Sequence, residues 1–327
     1  MNLSYTLFRL AMKFPFTLST EKEFDAVGFG LNAVDHLVVV PEYPEFDTKI
    51  RLREHVRTAG GQTASAMVAL KRLGMKTAYA GRFGSDEEGQ FGLASLRDEG
   101  VDVEFAEVVE GASNQIAFII IDEGTGERTI IWDRDERLAY RREEAPVSLA
   151  SRGLVVHMDA HDPPACARMA RAAHDSGSLV SLDVDNIYEG LPELLPLVDI
   201  LISSKEFPLR LTGIDDERKA LAEIRARYGC AIAGMTLGAQ GAILLCDEIF
   251  LESPAYSVPV CCRDTTGAGD AFHGGFLYGL LRGETVETSL KLANATASLK
   301  CRGLGARTSL PTQSELEDFM RSAMPII

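Results

Sequence analysis

A heptapeptide near the end of the chain combines residue types that chemistry on a phosphate needs. Residues 264–270 read Asp-Thr-Thr-Gly-Ala-Gly-Asp, and an apolar stretch of helical length follows at 271–281. Because glycine is unfavourable inside a helix, we predict that Gly267, Ala268 and Gly269 lie at the N-terminus of that helix. Backbone N–H groups are free there and the helix dipole is positive, so the turn can hold an anion.

Asp270 adds a carboxylate to this predicted anion site. A carboxylate repels a phosphate, so its presence is explained if it accepts a proton from a hydroxyl that attacks phosphorus. An anion site with one base is the minimum equipment for phosphoryl transfer. The alternative is a glycine-rich turn whose acids cap a helix, and the spacing alone leaves both interpretations open.

The heptapeptide as a whole resembles the C-terminal signature of the ribokinase-like (pfkB) carbohydrate kinases, and the resemblance covers about residues 25–320. It implies an α/β fold with a central, mostly parallel sheet, helices on both faces and a small β-sheet lid. It implies that Asp270 is the catalytic base and that the amides of 267–269 form the anion hole. ATP and Mg²⁺ are the implied cofactors, with K⁺ at a monovalent-cation site.

Composition and charge limit the partners of the chain. The 327 residues can form one large α/β domain or two ordinary ones, and the net charge of −15 disfavours nucleic acid and anionic membranes as partners. The six cysteines have no zinc-site spacing, which favours reduced thiols and a cytoplasmic location. We expect no signal peptide and no membrane span. Residues 1–24 are predicted to form an N-terminal arm of unknown role, before a single kinase domain at 25–320.

Two glycine turns in the first part of the chain resemble acceptor-binding signatures of the family. The segment 28–33 also matches a dinucleotide fingerprint, but a strand and not a helix is predicted next, so NAD binding is rejected. By resemblance Asp35 holds acceptor hydroxyls, although an aspartate at a strand end can also make a turn bond. Gly60 and Gly61 match the second signature, whose asparagines are replaced by Gln62 and Ser65. Both replacements can still bond a hydroxyl, but they leave the sugar undetermined.

The resemblance also assigns nucleotide and magnesium contacts. Glu206 is implied to hold Mg²⁺ through water, although Ser203 stands in place of the usual asparagine. The implied nucleotide-binding residues are Thr236, Gly238, Gly241, Thr265 and Asn294.

Within the family the chain looks closest to ketohexokinase-like members. Arg134 lies where those enzymes have an active-site arginine, which would suit a phosphate, and a surface ion pair is the alternative. The implied monovalent-cation site consists of the Asp264 and Thr266 carbonyls, the loop carbonyls of Lys300, Gly303 and Gly305, and Ser309.

Alternating strand and helix patterns must position these residues. Strands predicted at 153–158, 179–184, 198–203 and 231–237 indicate a parallel sheet, whose carboxyl edge is where ligands bind. Acids that follow such strands are cleft candidates or helix caps: Asp159, Asp183 and Asp185. No role is assigned to His161, His174 or His273.

Four further strands are predicted at 36–41, 49–57, 116–121 and 128–132. We expect them to form a lid, at about 36–57 and 115–134, because so small a sheet cannot bury itself. By resemblance the lid closes the acceptor site and pairs in a homodimer.

We therefore predict an ATP-dependent phosphotransferase that acts on a hydroxyl, primary in our interpretation, of a sugar or sugar-like molecule. A nucleoside kinase of the same fold is one alternative. A sugar-phosphate kinase, with Arg134 or Arg82 binding the acceptor phosphate, is a second. A sugar- or nucleotide-sensing protein without catalysis is a third.

Overall fold

The computed structural model of the protein describes residues 12–18, 21–258 and 262–322. In this part of the chain the strands are β1 (Phe24–Phe29), β2 (Ala33–Val40), β3 (Glu54–Gly60), β4 (Thr77–Ala80), β5 (Arg82–Gly84), β6 (Glu107–Val109), β7 (Ile116–Asp122), β8 (Arg128–Asp133), β9 (Gly153–Asp159), β10 (Leu179–Val184), β11 (Ile200–Ser203), β12 (Ile232–Thr236), β13 (Ala242–Cys246) and β14 (Ile249–Ser253). The helices are α1 (Gln62–Arg72), α2 (Glu87–Asp98), α3 (Val147–Ala150), α4 (Pro163–Asp175), α5 (Leu191–Leu194), α6 (Phe207–Thr212), α7 (Glu217–Tyr228), α8 (Ala268–Leu281), α9 (Val286–Lys300) and α10 (Gln313–Ser322).

An eight-stranded sheet forms the centre of the molecule, in the order β14-β13-β12-β11-β10-β9-β1-β4. Neighbouring strands are parallel from β12 to β4, and β13 and β14 add an antiparallel edge. Successive residues of β1 point to opposite faces, so Ala26 packs into one core and Val27 into the other. Helices α1, α8 and α9 cover the first face, and α4 and α7 cover the second. The predicted parallel sheet with helices on both faces is confirmed.

A second sheet, the lid sheet, has the order β3-β2-β7-β8. Its two antiparallel pairs are joined by parallel pairing of β2 with β7, so the two predicted strand pairs form one sheet. Its inner face is buried around Leu37 and Ile119, together with Leu304 from the loop after α9. The strand predicted at 49–57 lies instead at 54–60, because pairing with β2 begins only at Glu54 opposite Val39.

Helix α8 lies close against its neighbours because it contains three interior glycines. A Cβ at Gly274 would lie 2.6 Å from the Cβ of Ala69 in α1, and one at Gly279 would lie 2.7 Å from the Cα of Ser289 in α9. The cost of glycine inside a helix is thus offset by close packing on both sides. In the described residues, no helix combines the length and the apolar character that crossing a membrane requires.

The prediction of an N-terminal arm at 1–24 falls partly outside the described residues. Of the part that is described, Met12–Leu18 runs along the ends of α8 and α9. The Met12 N–H donates to the Glu287 carboxylate at 3.1 Å, and the Phe14 ring meets the Phe276 ring edge-on at 5.8 Å. This segment is therefore packed against the core, and β1 begins at Phe24.

Candidate active site

The turn before α8 has the backbone conformation that the sequence predicted. Gly267 is the N-cap of α8 with φ of 76°, which favours glycine, and a Cβ there would lie 2.6 Å from the Cα of Ala306. A Cβ at Gly269 would meet nothing within 4 Å, so this residue borders open space. The N-terminus of α8 therefore opens outward, where the helix dipole favours an anion.

The anion site differs in one detail from the prediction. The Ala268 N–H donates to the Thr265 carbonyl at 3.1 Å inside the turn, so it is engaged before any ligand binds. The N–H groups of Gly267 and Gly269 have no backbone acceptor in the part of the chain that the structure describes. These two amides, and not all three, are the free donors of the predicted hole.

A cavity of about 920 Å³ lies between the lid sheet, the carboxyl edge of the central sheet and the N-terminus of α8. Its volume is at the upper end of what small-molecule sites show. It brings together most of the predicted site residues, namely Asp35, Gly61, Gln62, Thr236, Gly238, Gly241, Thr265, Thr266, Gly267, Ala268, Gly269, Asp270 and Asn294. The residues predicted for the nucleotide and those predicted for the acceptor therefore face one space.

Asp270 lies in the first turn of α8 and is partly exposed to this cavity. Its pKa is raised well above the ordinary value, first by burial and then by the negative charges of Asp183 and Asp35. The positive charges of Arg307 and Lys300 oppose the shift. A carboxylate with a raised pKa is a stronger base than an ordinary one, as general-base catalysis requires.

Of the three strand-end aspartates, two line the cavity. Asp183 lies 3.2 Å from Nε2 of His273 and accepts a hydrogen bond from Gln62 Nε2 at 3.4 Å, and Asp185 lies beside it. Asp159 is buried instead, where it accepts hydrogen bonds from the backbone N–H of Leu31 and from Thr63. Sequence reasoning gave His273 no role, because the aspartate that it contacts lies about ninety positions earlier in the chain.

The predicted acceptor residue Asp35 is 5% exposed and lies against the glycine turn that precedes α1. A Cβ at Gly60 would lie 2.1 Å from Asp35 Oδ2, so no larger residue fits while the carboxylate keeps this position. Burial raises the pKa of Asp35 to about 7, and the positive charge of Arg307 opposes the shift. The carboxylate is thus largely shielded from water and borders the cavity, where the resemblance implies that acceptor hydroxyls bind.

Ser65 does not have its predicted role as an acceptor contact. Its side chain is fully buried in α1 and accepts a hydrogen bond from Arg307 Nε at 3.2 Å, away from the cavity lining. Arg307 also donates to the Gly60 carbonyl and, at 3.4 Å, to Ser95 Oγ. Ser65 therefore supports the glycine turn through Arg307, a residue that the sequence analysis left without a role.

Arg134 likewise does not have its predicted role as a phosphate-binding residue. Both its terminal nitrogens bond to Asp162, at 2.9 Å and 3.3 Å, and the residue does not line the cavity. Arg82 is engaged in the same way by Glu107 and Glu144. The ion-pair alternative is correct for Arg134, because a bidentate carboxylate satisfies the planar guanidinium.

The part of the cavity predicted to bind the nucleotide is formed by the loop after β12 and by α9. Gly241 has φ of 94°, and a Cβ there would lie 2.0 Å from the Ser253 carbonyl oxygen, so glycine is required. Asn294 is 4% exposed and donates to the same carbonyl at 2.9 Å. Arg128 of the lid sheet donates a hydrogen bond to Thr265 Oγ1 and so places a positive charge beside the anion site. The sequence analysis did not foresee this charge.

Hard oxygen donors for a divalent ion are present at the cavity, although Glu206 is not among the lining residues. Glu206 is exposed at the N-cap of α6. Ser203, Ser204 and Asp185 line the cavity nearby. Among the described residues, no group of three His, Cys, Asp or Glu is arranged to hold a metal ion. This donor chemistry suits Mg²⁺ only when nucleotide phosphates supply further oxygen ligands.

The residues predicted for a monovalent cation are close together, but a side-chain ammonium lies among them. Lys300 Nζ donates to the Asp264 carbonyl at 2.9 Å. The Asp264 carboxylate accepts the Thr266 N–H at 2.8 Å and the Gly305 N–H at 2.7 Å. Of the other two predicted members, Gly303 lies against Ser309, whose Oγ would be 2.2 Å from a Cβ at position 303. The sequence analysis considered the carbonyl of Lys300 as a cation ligand and did not anticipate its ammonium at this place.

Comparison with known proteins identifies the family. The model of the pfkB family carbohydrate kinases matches residues 26–313. The chain is 25% identical over 297 residues to a nucleoside kinase of Methanothermobacter thermautotrophicus, covering 89% of this chain and 94% of the relative. It is 30% identical over 297 residues to fructokinase-1 of Oryza sativa subsp. japonica, covering 82% of this chain and 90% of the relative. The structure of Arabidopsis thaliana ribokinase complexed with ribose and ATP superposes with a TM-score of 0.77 at 24% identity, over 91% of this chain and 99% of that one.

The chain therefore belongs to the pfkB family of carbohydrate kinases, and its fold is ribokinase-like. It is an ATP-dependent kinase that phosphorylates a sugar-like substrate.

Proposed function

We propose that the protein transfers the γ-phosphoryl group of ATP to a primary hydroxyl of a neutral sugar, with Asp270 as the base. The observation that carries the proposal is the arrangement of the cavity. Asp270 and the free amides of Gly267 and Gly269 open onto the same space as Asp35. A base, an anion site and an acceptor carboxylate are thus in one enclosure, as in-line phosphoryl transfer requires.

In the proposed reaction, Asp35 and Gln62 orient the acceptor and Asp270 accepts the proton of its hydroxyl. The hydroxyl oxygen bonds to the γ-phosphorus while the bond between that phosphorus and the bridging oxygen of ADP breaks. The amides of Gly267 and Gly269, with Arg128, stabilise the negative charge on the transferred group. The lid sheet excludes water, which would otherwise compete as the acceptor.

Mg²⁺ would neutralise charge on the nucleotide phosphates, held by Asp185 and, through water, by Glu206. The structural support is the position of Asp185 on the cavity wall and the hydroxyls of Ser203 and Ser204 beside it.

The acceptor end of the cavity favours an uncharged substrate over a sugar phosphate. Four carboxylates line it, those of Asp35, Asp183, Asp185 and Asp270. The two arginines that were candidates for an acceptor phosphate are paired with acidic side chains elsewhere. A second phosphate would therefore meet like charge, whereas the hydroxyls of a neutral sugar can donate to the carboxylates.

A nucleoside is the second candidate acceptor, and Trp132 is the reason to keep it. This residue of β8 lines the cavity and is 58% exposed, so its ring face is available for stacking on a base. A Trp132→Ala variant would lose activity on adenosine far more than on ribose if the indole stacks on the base.

The experiment that tests the function is a coupled ADP-release assay with fructose, ribose, adenosine and fructose 6-phosphate. We expect turnover with a neutral acceptor, loss of that turnover by several orders of magnitude in Asp270→Asn, and retained ATP binding in that variant. Asp215→Asn, at an exposed position that is not among the residues lining the cavity, is the matched control. Undiminished activity in Asp270→Asn would refute the assignment of the base.

We also propose that two copies associate through the outer face of the lid sheet. That face presents Phe118 and Ile131, which are 47% and 56% exposed, and the His36 ring stacks on Phe118 at 5.2 Å. Exposed apolar side chains grouped on one sheet face favour a protein contact. Light scattering should show a dimer for the wild type and a monomer for Ile131→Glu.

Two further proposals concern organisation and location. Residues 25–320 form a single kinase domain, supported by one eight-stranded central sheet that joins β1 and β4 near the start of the described chain to β9–β14 later in it. A reducing, cytoplasmic location is supported by buried free thiols at Cys166, Cys230 and Cys246. A free-thiol titration of the protein isolated from its own cell tests the second point.

A further inference from the structure

The ammonium of Lys300 contacts Asp264, whose carbonyl is one of the ligands that the family resemblance implies for a monovalent cation. Lys300 is the last residue of α9 and is fully buried. Its Nζ is 2.9 Å from the Asp264 carbonyl oxygen and 3.7 Å from Asp264 Oδ2. A buried ammonium is stable only where nearby oxygen atoms carry full or partial negative charge. The contact is therefore part of the fold and not an incidental surface pair.

Two of the carbonyl oxygens implied for K⁺, those of Asp264 and Lys300, already accept hydrogen bonds. Each carboxylate oxygen of Asp264 accepts a backbone N–H, from Thr266 and from Gly305. The Lys300 carbonyl accepts the Gly303 N–H at 3.4 Å. A metal ion at the Asp264 carbonyl would also face the ammonium, a like charge in a site without water to screen it. The residues present do not fit a bound K⁺.

We propose that the Lys300 ammonium takes the place of the monovalent cation, as a positive charge tethered to α9 that makes the kinase independent of K⁺. It acts as a positioning residue, because it holds Asp264 and so fixes the turn that ends in Asp270. The activity readout of this inference rests on the proposed phosphotransfer, and an unfolding readout does not.

The contacts around Lys300 show how one tethered charge can order the site. The N–H groups of Arg263 and Asp264 both donate to the Cys301 carbonyl, so the start of the turn is joined to the end of α9. Lys300 adds the charged contact to the same two segments. Its positive charge also favours the ionised forms of Asp270 and Asp35, the base and the acceptor residue.

The first test compares activity in chloride salts of K⁺, Na⁺ and tetramethylammonium at fixed ionic strength. We expect the wild-type kcat and KM to be the same in all three salts. Lys300→Ala should lower kcat by about 10- to 100-fold in tetramethylammonium, the loss expected for one charged hydrogen bond. K⁺ should restore much of that kcat with little change in KM. Lys291→Ala, on the exposed face of the same helix, should behave as the wild type in every salt.

The second test is thermal unfolding without substrates, in the same salts. K⁺ should raise the Tm of Lys300→Ala and leave that of the wild type unchanged. Lys300→Gln, which keeps most of the side-chain volume, replaces the alanine variant if that variant does not fold. Stimulation or stabilisation of the wild type by K⁺ overturns the inference, and so does a folded variant that K⁺ neither activates nor stabilises. Because unfolding needs no turnover, its result stands even if the proposed phosphotransfer fails.

Discussion

Replacing Asp35 by asparagine should stabilise the protein without ligands while it weakens acceptor binding. Burial holds the pKa of this carboxyl at about 7 in the folded chain, against an ordinary value of 3.8. Because the folded-state pKa is raised, the folded state keeps its proton when the unfolded state has lost it. Stability from this group is therefore complete below pH 3.8 and is lost as the pH rises towards 7.

The size of the effect follows from the difference between the two pKa values, about three pH units. Each unit corresponds to about 1.4 kcal/mol, so the ionised Asp35 costs about 4 kcal/mol of unfolding free energy above pH 7. The asparagine side chain of the variant would carry no charge at any pH. The stability advantage of Asp35→Asn should thus be small near pH 4, grow by about 1.4 kcal/mol per pH unit, and level off above pH 7.

Urea unfolding of the wild type and Asp35→Asn at pH 5, 6, 7 and 8 measures this difference. Asp215→Asn serves as the control, because its side chain is exposed. The same Asp35→Asn protein should show a raised acceptor KM, since one neutral amide oxygen accepts hydrogen bonds from hydroxyls more weakly than two carboxylate oxygens do. A stability difference between the two proteins that does not depend on pH would contradict the inference that burial raises the pKa of Asp35.

Three further changes probe the site. Asp183→Asn removes the negative charge that, after burial, raises the pKa of Asp270 most, so the acidic limb of the kcat/KM profile should move to lower pH, whereas Asp185→Asn should leave that limb in place. Arg307→Lys should lower unfolding stability by about 2–3 kcal/mol and raise the acceptor KM, because a lysine ammonium cannot reproduce the directed guanidinium hydrogen bonds to the Gly60 carbonyl and Ser65. Gly267→Ala should lower stability by at least about 1 kcal/mol and reduce kcat, since φ is positive and Ala306 blocks the new methyl, whereas Gly269→Ala should fold as stably as the wild type. An unmoved pH limb, an unchanged urea midpoint or equal stability of the two alanine variants would contradict the respective argument.

The sequence predicts the central sheet and the turn before α8 because both depend on local patterns. Strand β10 was predicted with its observed bounds, 179–184, since a run of apolar residues between polar turns has few other solutions. The 264–270 turn follows from glycine positions and the apolar run after them. The antiparallel edge strands β13 and β14 were not predicted, because short apolar runs have no unique period.

The side-chain pairings of the site could not be predicted in the same way. Ser65 was expected to face the acceptor, but the partner that turns it inward, Arg307, lies 242 positions later in the chain. Arg134 was expected to bind phosphate, but Asp162 is near enough to neutralise it. The hydrogen-bond partner of each side chain depends on how distant elements pack together. Local sequence patterns do not determine that packing.

The three glycines of α8 determine which side of the reaction can move. Because glycine lets α8 approach α1 at Gly274 and α9 at Gly279, a tilt or slide of this helix would break close contacts on both sides. The proposed anion site and the proposed base, Asp270, are consequently held in place by the packing of this helix. We therefore expect closure to come from the lid sheet, which carries Asp35 and Trp132 and would bring the acceptor hydroxyl to the nucleotide.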